Sequence, residues 1–159
     1  MRAKRPEIRP GGAPKAASGS PVFTVTTRRK PTVAALKKLY AQAWWTAERG
    51  DKGIATVLKH SDVIATAWDG RRLAGFARAS TDFAYRAVLW DVIVDPAYRR
   101  SGLGSRLVRA ITEDPRLKGV ESFWLYTTEM QTFYRSLGFK AYPKNVMVWR
   151  RYVPARAEV

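Results

Sequence analysis

The chain has no cysteine. That excludes disulfides, thiolate metal sites and a cysteine nucleophile, and it suits a reducing compartment, so a cytoplasmic location is expected. Histidine is almost as scarce, with His60 alone. A serine–histidine pair or a multi-histidine metal site would have to be built on that one ring, so no metal is expected. Long apolar runs are also missing. No stretch is long enough to span a membrane, and the first twenty residues lack the apolar core of a secretory signal. Acid is in short supply: 13 Asp and Glu stand against 29 Lys and Arg, for a net charge of +16. Such a surface attracts polyanions, whether nucleic acid, an acidic membrane or a polyphosphate. The chain shows no helix-turn-helix signature, zinc-ligand spacing or RNA-binding strand motif, so no specific nucleic-acid partner is expected.

What is present supports a folded body. Hydrophobic residues make up 46% of the 159, enough for one domain with a real core. Residues 1–20, rich in Pro, Gly, Ala and basic residues, show no apolar periodicity and read as a disordered tail. Residues 21–159 read as the domain, and they keep most of the excess charge. "PVFTVTTRR" alternates as a strand does. "PTVAALKKLYAQAWW" reads as a helix opened by Pro31 and Thr32, and "DKGIATVLKHS" as a short second one. Asp69-Gly70 marks a hairpin turn between two alternating runs, and "YRAVLWDVIVDP" is a longer apolar strand. A helix to about Asp114, a strand "GVESFWLYTT", a helix "EMQTFYRSLGF" closed by Gly138, and a last strand "NVMVWRRYV" complete the order. This predicts a mixed α/β fold: a mostly antiparallel sheet with one strand–helix–strand crossover, flanked by helices.

The stretch "DPAYRRSGLGSRLVRAI", Asp95 to Ile111, carries the chemistry. The first turn of a helix leaves backbone N–H groups without partners, and its dipole adds partial positive charge. Gly102 and Gly104 have no Cβ to hold an anion away, and Arg99, Arg100 and Arg106 add full charges. That describes a pyrophosphate-sized site. A P-loop needs Gly-Lys-Ser/Thr, and the chain has Gly-Ser-Arg at 104–106; a dinucleotide fingerprint needs a third glycine, and Leu107 stands there. Arg99-x-x-Gly102-x-Gly104 alone is also compatible with an ordinary strand-to-helix turn.

The flanks add specificity. "LWDVIVDPAY" before the turn, and "TFYRSLGF" some thirty residues after it, complete a set that resembles the GNAT superfamily of acyl-CoA-dependent N-acetyltransferases. Within it the chain looks most like the chloroplast and cyanobacterial branch that includes plant serotonin N-acetyltransferases. The resemblance implies that Arg99, Arg100, Ser101, Gly102, Leu103, Gly104 and Ser105 bind the pyrophosphate of acetyl-CoA, the expected cosubstrate. It implies a sheet splayed at the crossover, where the backbone of Val92, Ile93 and Val94 holds the pantetheine arm and polarises the thioester carbonyl. Thr127 stands near where many relatives carry an asparagine and is placed in the coenzyme site. Tyr134 becomes the expected coenzyme contact and proton donor to the departing thiolate.

Asp91 stands alone in the apolar run "VLWDVIV", where an unpaired carboxylate is costly. It either holds or deprotonates an ammonium, or makes a structural ion pair with an arginine. A regular strand with Val92 toward the cleft turns Asp91 away from it, unless a bulge intervenes. Trp44 and Trp45 fall where the family's first helices wall the acceptor site, and Trp90 lies on the central strand; aromatics there fit an arylalkylamine or pack as core. The expected partner is an amine, either a small molecule or a protein lysine or N-terminus, and the expected state is monomer or homodimer, with no membrane. Two other classes stay open: a basic nucleic-acid-binding protein, and a family member that senses acyl-CoA without turning it over.

Overall fold

The computed structural model describes residues 23–142, so the expected tail over 1–20 and the last strand over 145–153 lie outside the described residues. The described residues fall into two compact units, divided between Tyr126 and Thr127. The first unit holds β1 (Thr24–Thr26), α1 (Val33–Tyr40), α2 (Asp51–His60), β2 (Val63–Asp69), β3 (Arg72–Thr81), β4 (Arg86–Val94), α3 (Leu103–Thr112) and β5 (Ser122–Trp124). The second holds α4 (Gln131–Ser136). Among the described residues no helix is long and apolar enough to cross a membrane.

The five strands form one sheet in chain order, antiparallel from β1 to β4 and parallel between β4 and β5. The expected mixed sheet with one crossover is therefore the fold, and α3 is the crossover helix. The hairpin between β2 and β3 turns through Gly70 and Arg71, one residue later than Asp69-Gly70, because Asp69 already pairs with Arg72. Gly70 takes φ +55°, the left-handed region such tight turns demand.

Alternation sorts the side chains onto two faces. On one, Ile64, Trp68, Phe76 and Ile93 meet Leu36, Leu39 and Tyr40 of α1 and Ile54 and Leu58 of α2. On the other, Ala65, Ala67, Gly75, Ala77 and Ala79 are buried, along with Leu103, Leu107, Val108 and Ile111 on the inner side of α3, which packs on β2 and β3. The small residues let the helix come close. A Cβ built on Gly75 would stand 2.8 Å from Leu107 Cδ1. Each buried Leu or Ile contributes roughly 1.5–3 kcal/mol, and these two layers supply the core.

Helix α1 starts as expected, with Thr32 Oγ1 accepting from the Ala35 amide. It stops at Tyr40, short of the expected Trp45. The Thr46 hydroxyl lies 2.8 Å from the Tyr40 carbonyl and 3.2 Å from that of Ala43, so the helix-end carbonyls find a partner in a turn. Trp44 and Trp45 are left on the exposed loop, 73% and 49% accessible.

Candidate active site

Two features of β4 set the site. The first is where its parallel ladder stops. β5 pairs with β4 only from Arg86↔Ser122 to Val88↔Trp124, yet β4 runs on to Val94. The two strands part there, as expected. The Asp95 amide donates to the Ala74 carbonyl on the β3 side. Because amides alternate in direction along a strand, those of Val94 and Val92 point to the side β5 has left. The Val94 carbonyl accepts from Arg99 Nε at 3.4 Å, so that edge leads straight to the glycine turn.

The second feature is a β-bulge. Phe76 pairs with Ile93 but Arg78 pairs with Trp90, so one extra β4 residue is inserted. Asp91 sits at it with φ +52°. The insertion reverses the side-chain phase: Leu89 shares a face with its partner Ala79, whereas Ile93 shares the opposite face with Phe76. A bulge of the kind Asp91 would need is thus present in β4.

The Asp91 side chain is only 5% exposed. Its Oδ2 accepts from Tyr40 Oη at 2.9 Å, Arg49 Nη1 at 2.7 Å and Arg78 Nε at 2.7 Å. Burial alone would raise this carboxyl's pKa, but the two guanidiniums outweigh it and hold the group below the usual carboxylate range. Burial, reinforced by Asp91, pushes the Tyr40 phenol well up. Of the two alternatives for Asp91, an ion pair is what the geometry provides, and a carboxylate held this low is a weak base. Tyr40, Arg49 and Arg78 were not legible in the sequence as its partners. The one available signal was the demand of a lone carboxylate for a cation, with Arg78 set in the otherwise apolar run "LAGFARA".

The glycine turn follows a short 3-10 turn, Pro96–Tyr98, whose N-cap Asp95 accepts from the Ala97 amide. Arg100 takes φ +62° and Gly102 φ +76°, and α3 begins at Leu103. Two left-handed residues thus stand one residue apart at the positive end of a helix, a position whose free N–H groups suit an anion. Leu103 is buried and anchors the turn, Gly104 and Ser105 are half-buried in the first helical turn, and Arg99, Arg100, Ser101 and Gly102 are exposed. Ser101 Oγ donates to the Tyr98 carbonyl at 2.7 Å. Arg106 also serves the fold: its Nη2 donates to the Phe23 carbonyl at 3.0 Å, tying α3 to the chain just before β1. That bond spends part of its donor capacity on the fold.

Trp90 Nε1 donates to Ser80 Oγ at 2.7 Å, and its ring stacks on Tyr126 with centroids 5.9 Å apart. Tyr126 is 62% exposed. In the second unit, Thr127 Oγ1 accepts from the Met130 amide before α4. Tyr134, on α4, is half-buried, and burial pushes its phenol up to about 12. His60, at the end of α2, is exposed.

The scaffold thus combines a splayed parallel pair, a bulge at the splay and a left-handed turn opening the crossover helix. The chain belongs to the acetyltransferase (GNAT) family, whose model matches residues 27–139. It is similar to a solved putative acetyltransferase of that family from Xanthomonas campestris, with a TM-score of 0.73 and 28% identity over 86% of this chain and 96% of that one. It is 36% identical over 120 residues to the chloroplastic serotonin N-acetyltransferase 2 of rice, covering 72% of this chain and 59% of that protein. It is 33% identical over 110 residues to the soybean histone acetyltransferase TAP1, covering 60% and 48% respectively. The chain spans about half the length of several curated relatives it matches.

Proposed function

We propose that the chain transfers an acetyl group from acetyl-CoA to a primary amine. The observation that carries this reading is the parting of β4 from β5 beyond Val88, next to a helix-opening turn with left-handed backbone at Arg100 and Gly102. Family membership supports it. The donor set fits the ligand: a cradle of N–H groups and Arg99 and Arg100 for the pyrophosphate, and strand amides for the pantetheine arm. In the reaction the amine nitrogen bonds to the thioester carbonyl carbon and the carbon–sulfur bond breaks. The carbonyl oxygen gains negative charge, and the N–H groups of Val92 and Val94 are the proposed donors to it. The attacking nitrogen gives up one proton to solvent water, and the thiolate leaves and takes a proton, for which Tyr134 is the proposed donor.

For the acceptor we favour a small arylalkylamine. The exposed Trp44, Trp45 and Tyr126 support an aromatic acceptor, and a net charge of +16 disfavours a polycationic one at long range. The two named plant relatives differ on this point, one being called a serotonin and the other a histone acetyltransferase. The cytoplasm stays the proposed location on the lack of cysteine, although the rice relative is named chloroplastic.

The test is thiol release from acetyl-CoA with tryptamine, serotonin, spermidine and lysine peptides as acceptors, alongside calorimetric titration of coenzyme A. Tryptamine or serotonin should be turned over best. Gly104→Val should weaken coenzyme binding by at least about tenfold, since its side chain would stand in the cradle. Equal affinity in the variant would show that the turn does not hold the pyrophosphate.

A further inference from the structure

The strained residue in β4 is held by more than its charge requires. A non-glycine residue at φ +52° is strained and persists only where its surroundings fix it. One guanidinium would neutralise the Asp91 carboxylate. Here two guanidiniums and a phenol converge on the same oxygen, Oδ2, and they come from three places: the end of α1, the loop before α2, and β3. The guanidiniums are themselves braced on rings, Arg49 4.9 Å from the Tyr40 ring centroid and Arg78 5.7 Å from that of Trp90. Three donors on one oxygen fix the direction of the side chain and so the twist of the backbone that bears it. The next residue is Val92, where the amides facing the splay begin.

We propose that Arg49 and Arg78 are positioning residues that act through Asp91 to lock the β4 bulge, fixing the amides of Val92 and Val94, and that Arg49 extends this lock to the loop bearing Trp44 and Trp45. The proposal rests on the acetyl-transfer reading for its kinetic consequence but not for its structural one. The loop that offers aromatic surface and the strand that offers amides are then one mechanical piece, joined by a 2.7 Å ion pair with Arg49 at 33% and Asp91 at 5% exposure. An acceptor that moves the loop also moves the amides.

Arg49→Met and Arg49→Lys, made in the full chain, test this with two readouts. In the unliganded protein, NMR amide signals of Val92, Ile93 and Val94 should shift in Arg49→Met and shift less in Arg49→Lys. In turnover, kcat should fall by about ten- to a hundredfold in Arg49→Met, the size expected for a misplaced reacting geometry, and recover partly in Arg49→Lys, which restores the charge but not the planar fork. Adding Arg49→Met to Asp91→Asn should cost little further, because both act through one contact. Unmoved 92–94 signals, or losses in kcat that multiply fully in the double variant, would overturn the proposal. A wild-type protein that transfers no acetyl group would remove the functional reading, while the amide signals would still decide the positioning role.

Discussion

Tyr134 lies edge-on to Phe133, with ring centroids 4.9 Å apart, and to Phe139 at 5.8 Å. Burial pushes its phenol from the ordinary value near 10 up to about 12. The proton is therefore always present at neutral pH, but the distance to a typical thiol near 8.5 widens, so donation needs the thiolate to form close by. Tyr134→Phe keeps the ring, and kcat should fall by about 10²–10⁴ with coenzyme affinity retained; steady-state kinetics beside a titration checks this. The same burial has a sign for stability. The folded state holds the phenolic proton more tightly than the unfolded one, so this contribution is full below about pH 10 and is lost as pH rises toward 12. Denaturation midpoints should thus fall less steeply over that window in Tyr134→Phe than in the wild type. Tyr134 and Gly104 stay proposed site residues, while Gly102 and its helix-opening turn were legible in the sequence because that motif is local. Asp91's partners were not: they lie 13, 42 and 51 residues away, and only the pairing count between β3 and β4 reveals the bulge that aims the carboxylate at them.

Helix α3 holds its distance from the sheet through the small residues beneath it. Gly75→Ala would press on the buried Leu107 side chain and on the Ile93 carbonyl at 3.3 Å. Overpacking of this kind costs roughly 1–3 kcal/mol, so Tm should drop by about 3–10 °C in a calorimetric scan. An unchanged Tm would mean that the helix floats more freely than its close fit implies. The sequence announced α3, α2 and the hairpin because their caps and turns are short-range. It overextended α1 by reading Ala41–Trp45 as helix. Ala, Gln and Trp all tolerate helix, and what ends it is a hydroxyl, Thr46, reaching back six residues. It overextended β5 for the opposite reason: "ESFWLYTT" has strand composition throughout, but β4 accompanies it only as far as Trp124.

A net charge of +16 acts over the whole surface. Capture of acetyl-CoA should weaken as salt rises from about 50 to 200 mM, chiefly through slower association, and stopped-flow binding would measure it. Single-stranded DNA should bind without sequence preference and with a steep salt slope. A coenzyme association rate indifferent to salt would show that the basic surface does not steer it. The sheet has a second molecule-wide property, since its strand order is its chain order. Among the described residues every ladder joins strands that are consecutive in the chain. Even so, among the described residues, the Val92–Val94 edge of β4 has no ladder partner on the β5 side. A flat, apolar strand edge of that kind invites another chain to add a strand. The kink at Asp91 twists it out of register for such pairing. A bulge is one of the devices that blunt an unpaired edge, and straightening it would leave the proposed pantetheine-binding amides as a continuous edge open to another strand.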